Sequence, residues 1–111
     1  MSPTKRTIAL LESLGYLAAV TERRQGPISI DLYGSYDCIG IRRDRDVLLV
    51  QCTSTPNFSS RLKKCVANPL TRLLVDCGIR CEVWGWDHRP DPRVANLADF
   101  VVPIQDAQDS K

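Results

Sequence analysis

Apolar residues open the chain at helical spacing: Ile8, Leu11 and Leu14 recur through residues 4–14 with Leu10 alongside, and Gly15 follows where a helix would stop. The period then changes. Residues 17–20 read as a short strand, Gln25-Gly26-Pro27 breaks it, and residues 28–32 resume extended character before Gly34. Residues 36–41 read as a further strand, joined by the charged tip Arg42-Arg43-Asp44-Arg45-Asp46 to residues 47–53. That last run is β-rich and nearly all apolar, the pattern of a strand central in its sheet, so the two runs predict a hairpin.

Beyond the hairpin, Ser54-Thr55-Pro56-Asn57 offers capping side chains, and Phe58, Leu62, Cys65 and Val66 follow at helical spacing with basic residues on the other side. Asn68-Pro69 predicts a kink or a division, because proline has no N–H to donate and clashes with the preceding turn. Leu70, Leu73 and Leu74 carry the helix on to Gly78. Residues 81–86 predict a strand, the run from Asp87 to Pro92 its exit, and residues 100–104 an edge strand. No repeat or long linker divides the chain. Its 111 residues suit one domain at 1–104, with 105–111 a loose polar tail.

Apolar content of 43% with 25% charged residues is the balance of a folded globular chain. Apolar runs last only a few residues, and Met1-Ser-Pro-Thr-Lys-Arg6 leads directly into an amphipathic segment. The expectation is therefore no membrane span, no signal peptide and a cytoplasmic protein. Five cysteines form an odd set without a CxxC pair, as buried free thiols would. Cys77 and Cys81 lack the partners for zinc, since His88 is the single histidine.

The net charge of +2 hides an asymmetry. Residues 1–75 hold eleven Lys and Arg against six Asp and Glu, whereas residues 76–111 hold four against seven. Arg23-Arg24, Arg42-Arg43 and the helix cations Arg61, Lys63 and Lys64 form short basic clusters that suit phosphate contact or a solvated surface.

The basic excess travels with two stretches, Asp31-Leu-Tyr-Gly-Ser-Tyr-Asp37-Cys-Ile-Gly-Ile41 and Val47-Leu-Leu-Val-Gln51-Cys-Thr53-Ser54. Alternate strand residues share a face, so Gln51 and Thr53 point the same way and Asp37 can reach the same end of the paired strand. Magnesium seeks oxygen ligands, and Asp37, the Gln51 amide oxygen and a backbone carbonyl near Cys52 make a partial shell that is short of negative charge. Glu12, Glu22 and Asp31 are the acids available to supply it. Each has a plain alternative: Glu12 on a solvated helix flank, Glu22 paired with Arg23-Arg24, Asp31 in an Asx turn before Gly34. Trp84 and Trp86 flank Gly85 on one strand face, where they could stack on bases, cover a core or meet a second subunit.

These stretches resemble the core of the PD-(D/E)XK nuclease superfamily. There an Asp opens one strand, and the next, after a short hairpin, ends in Glu-x-Lys, often followed by Ser or Thr. Asp37 and Ser54 fit that pattern, while Gln51 stands in place of the acid and Thr53 in place of the lysine. The order α-β-β-β-α-β over roughly residues 4–87 is also that of the superfamily core. More narrowly, the layout is similar to small archaeal and phage Holliday junction resolvases, and to phage and bacterial proteins that pair Asp-Leu-[Phe/Tyr]-Gly-x-x-Asp with Val-Gln-x-Thr-Ser and a Val-Trp-Gly-Trp strand.

The resemblance implies an α/β, restriction-endonuclease-like fold, a central mixed sheet flanked by helices. It implies a homodimer that binds DNA, branched or otherwise structured, and hydrolyses phosphodiesters with Mg2+ or Mn2+. The catalytic set would be Asp37, Gln51, Thr53, the helix acid Glu12, and Lys64 as a cation moved onto the following helix. Asp37, Gln51 and Asp31 would hold the metal, and Arg23, Arg24, Arg42, Arg43, Arg61, Lys63 and Lys64 would meet DNA. The competing expectation is a nuclease fold whose site has decayed, leaving a DNA-binding or protein-interaction module.

Overall fold

The computed structural model describes residues 1–101. Helix α1 spans Pro3–Ser13; the Ser2 hydroxyl accepts the Lys5 N–H at 3.2 Å, and Pro3 suits the first turn, where its missing N–H costs nothing. Strands β1 (Leu17–Val20), β2 (Arg23–Gln25), β3 (Ile28–Ile30), β4 (Cys38–Ile41) and β5 (Leu48–Ser54) follow. Helices α2 (Phe58–Ala67) and α3 (Pro69–Asp76) lead to β6 (Arg80–Trp86) and β7 (Arg93–Asn96). Asn68 and Pro69 divide the second helical region as expected: the Asn68 N–H donates to Lys64 O and Cys65 O at the end of one helix, and its side chain caps the next, accepting the Leu70 N–H at 3.0 Å.

The fold is α/β. A five-stranded mixed sheet has the order β1-β4-β5-β6-β7, with β5 and β6 parallel and the other neighbours antiparallel. A parallel pair needs a crossover, and α2 with α3 provides it. Strand β5 lies in the middle, which explains why the sequence spends so many apolar residues there. Its alternation sends Leu48 and Val50 to a core with Leu11 of α1, Trp84 and Trp86. Leu49 goes to the opposite core, with Phe58, Cys65, Leu74, Cys81 and Val83 under α2 and α3.

Three elements differ from expectation. Residues 23–25 form a strand, β2, that pairs with the expected extended run at Ile28–Ile30 as a separate hairpin; Arg23–Gln25 is wholly exposed and shows no apolar alternation to read. The edge strand is β7, beside β6, and not at Phe100, where a 3-10 turn over Leu97–Asp99 has just ended. Residues 102–104 of that expected strand and the tail at 105–111 lie outside the described residues. The α2 start carries no side-chain cap; a 3-10 turn at Thr55–Asn57 leads into it instead. Among the described residues no helix is long and apolar enough to cross a membrane.

Candidate metal centre

Asp37 stands one residue before β4, where its backbone is fixed from both sides. Its N–H donates to Val50 O at 2.9 Å, and its carbonyl accepts the Thr21 N–H at 2.7 Å. The approach to it is a tight turn with Tyr33 and Gly34 both at positive φ (53° and 81°), closed by a bridge between Leu32 and Tyr36. Glycine tolerates that conformation, whereas Tyr33 adopts it at a steric cost. The Asp31 backbone carbonyl accepts the Gly34 N–H at 3.0 Å, so the main chain makes this turn and the Asp31 carboxylate is left to the cleft.

Gln51 faces Asp37 across the β4–β5 pair. Its Nε2 donates to Asp37 Oδ2 at 2.6 Å, and the Cys52 N–H donates to the same oxygen at 2.8 Å. Gln51 is 2% exposed and Asp37 5%. Burial pushes the Asp37 carboxyl from an ordinary 3.8 up to about 7; the Cys52 bond pulls it down, Asp31 pushes it up, and the Gln51 bond pulls it down. The other Gln51 atom, Oε1, is buried with no hydrogen-bond partner, the single such side-chain atom among the described residues. Buried polar atoms are rarely left so, and an orphan calls for an explanation.

Glu22, between β1 and β2, and Asp31, just after β3, bring carboxylate oxygens to within 4.8 Å of one another and of Asp37. From α2, Lys64 Nζ reaches 3.5 Å from Asp31 Oδ2. The cleft around them, about 320 Å³, is lined by Thr4, Glu22, Ser29, Asp31, Asp37, Gln51, Cys52, Arg61 and Lys64. Three carboxylates make an all-oxygen donor set, which suits Mg2+ or Mn2+, and Gln51 lines the same cleft. Cys52 also lines the cleft, but the Cys38 sulfur 3.4 Å away and burial hold its thiol far above the ordinary range. It is therefore no nucleophile.

The other expected site residues divide. Arg61 and Lys64, three apart on α2, both line the cleft, while Lys63 is exposed and turned away from it. Arg23 and Arg24 are exposed on β2, directly after Glu22. Glu12 does not join: Thr4 is the α1 residue at the cleft, and Glu12 lies eight residues on, about 12 Å along the helix, and exposed. The acid comes from Glu22 instead. Thr53 is buried one step beyond Gln51 on the same strand face and does not line the cleft.

Arg42 and Arg43 sit at the hairpin tip, at the opposite end of β4 from Asp37 and roughly 16 Å away by strand rise. Arg42 is already engaged there, 2.8 Å from Asp44 and 3.0 Å from Leu14 O. Trp84 and Trp86 are each 5% exposed and lie under α1, their indole N–H groups donating to Glu82 at 2.8 Å and to Thr7 at 2.9 Å. Neither ring is free for a base or for a second subunit. No family model matches the chain, nor does any curated protein or solved structure.

Proposed function

We propose that the chain is a divalent-cation-dependent endonuclease of the PD-(D/E)XK type that hydrolyses DNA phosphodiesters at the Asp37 cleft. One observation carries the reading: the three-carboxylate cluster, the unpaired Gln51 oxygen and the cations Arg61 and Lys64 meet in a single cleft. Glu22, Asp31 and Asp37 would hold Mg2+ or Mn2+, which lowers the pKa of bound water and polarises the phosphate. Glu22 and Asp31 offset the charge that an amide at position 51 does not supply.

Lys64 takes the part that Thr53 cannot, because a hydroxyl brings no positive charge to the phosphorane-like transition state. Its 3.5 Å contact with Asp31 keeps its charge at the acid cluster, where a phosphate drawn to the cation would be held. Arg61 and the exposed Arg23 and Arg24 hold the flanking phosphates. The narrower terms of the proposal, branched or structured DNA and a homodimer, rest on the likeness to junction resolvases.

A second reading has one observation in its favour: Lys64 is already paired with an acid of the cluster, and Gln51 is already bonded to Asp37. On that reading the chain binds DNA without cutting it. Labelled duplex and four-way junction DNA, incubated in Mg2+ or Mn2+ with wild type, Asp37→Asn and Lys64→Ala, decide between them. Cleavage by wild type, lost in Asp37→Asn and lowered about 100-fold or more in Lys64→Ala, supports hydrolysis. Salt-sensitive binding with no cleavage supports the non-catalytic reading, and cleavage that survives Asp37→Asn places the reaction elsewhere.

A further inference from the structure

The β2–β3 hairpin stands apart from the main sheet as its own two-stranded unit, with five of its six strand residues exposed. A lone two-stranded hairpin is marginal in water and needs something to dock it. Backbone bonds fix the chain just outside it, Thr21 to Asp37 on one side and Leu32 to Tyr36 on the other. Across residues 22–31, Asp31 with Lys64 is the one side-chain hydrogen bond or ion pair to the rest of the fold among the described residues.

The base of this hairpin is where its two acids lie. Arg23 pairs with Ile30, so Glu22 and Asp31 face each other one step below the last rung. Their carboxylates come within 4.8 Å of each other and of Asp37, which is anchored to the central strand through Val50 and Cys52. When all three are ionised at that spacing they repel, and the repulsion weakens the docking of the hairpin base. An independent feature points to a ligand there: Gln51, 2% exposed and lining the same cleft, keeps Oε1 without a partner.

We infer that a divalent cation held by Glu22, Asp31 and Asp37 clamps the β2–β3 hairpin onto the sheet and thereby sets the position of Arg23 and Arg24. The inference rests on the cation site proposed above and does not depend on hydrolysis. Two ligands come from the two chain segments at the hairpin base and one from the edge of the core, so a single ion spans the joint between hairpin and sheet. The ion turns repulsion among the carboxylates into attraction. Phosphate contact by Arg23 and Arg24 then becomes a cation-dependent property of the protein.

Trypsin reads the clamp directly, because it cleaves after Arg23 and Arg24, while the Arg42–Arg45 tip at the far end of β4 supplies an internal control. With the full chain, Mn2+ in place of EDTA should slow cleavage at Arg23 and Arg24 by about tenfold or more and leave the tip sites unchanged. Mn2+ binding is followed separately by electron paramagnetic resonance. Glu22→Gln, on a half-buried residue outside both cores, should fold normally, bind Mn2+ more weakly and lose most of the protection. Bound Mn2+ with unchanged cleavage at Arg23 and Arg24 would overturn the clamp and leave the cation site standing. Equal slowing at every site would also overturn it, as general stabilisation, and absence of Mn2+ binding would overturn both.

Discussion

Gln51 gives Asp37 Oδ2 a hydrogen bond of 2.6 Å from one end of its amide while the other end, Oε1, stays buried and unpaired. The amide is thus half satisfied, in a residue that lines the cleft of the three acids. Gln51→Glu removes the donated bond and adds a fourth carboxylate. In EDTA the variant should lose about 1–3 kcal/mol of stability, the range for an unmade buried bond. In Mn2+ it should gain more melting temperature than wild type. Equal melting of the two proteins in both buffers would separate Gln51 from the cation.

Asp37 makes stability depend on pH in an unusual direction. Its folded pKa is raised from 3.8 to about 7, chiefly by burial, so between those values the folded state holds a proton that the unfolded state has released. The contribution is full below about pH 4, falls as pH rises towards 7, and levels off above. Urea midpoints in EDTA, taken as the difference between wild type and Asp37→Asn, should show that decline. A difference that is flat or rising with pH would contradict it. Mn2+ binds the deprotonated site, so its affinity should climb through the same window.

Gly85 lies where β6 passes under Phe58. An added Cβ would meet Phe58 Cδ1 at 2.6 Å, and the ring cannot retreat freely because the Arg93 guanidinium lies over it at 4.3 Å. Gly85→Ala should cost about 1–3 kcal/mol by overpacking, measured by chemical denaturation. Gly40→Ala, whose Cβ would meet Tyr16 at 3.1 Å, should cost less.

The two groups of basic residues should differ in their effect on DNA binding. Arg61 and Lys64 line the cleft, whereas Arg42 and Arg43 are at the other end of the sheet. If each of the first pair meets one phosphate, replacing both with Ala should lower the slope of log K against log salt by about 1.8. The Arg42/Arg43 double variant should bind like wild type. The reverse ranking would move the interface to the hairpin tip.

What could be read in the sequence follows from where packing leaves a periodic trace. The β4–β5 hairpin was legible because a buried central strand must be apolar along its length, and the helix break because Pro69 leaves the backbone no alternative. Convergence of Asp37 with Gln51 followed from the predicted hairpin and strand alternation, at positions that the resemblance had singled out. Strands β2 and β7 were not legible, since Arg23–Gln25 buries nothing and Arg93–Asn96 buries only Ala95. Glu12 and Glu22 could not be separated by pattern. The choice depends on which end of α1 meets the β5 terminus, and that is set by contacts such as Trp86 with Thr7, 79 residues apart.

Asn68 does more than end a helix. While Oδ1 caps α3, its Nδ2 donates to Tyr33 O at 2.7 Å and to Ser35 Oγ at 2.9 Å, joining the helix break to the turn that carries Asp31 towards Asp37. Asn68 follows Lys64 by one helical turn, so this amide ties the end of α2 that carries the cation to the turn that leads from Asp31 to Asp37. Tolerance of changes in length should follow from that. Extra residues fit at the Gln25–Ile28 turn or the Arg42–Asp46 tip, where the loop hangs free of the cleft. A single residue inserted between Lys64 and Asn68 would rotate the basic face of α2 by about 100° and carry Lys64 away from Asp31.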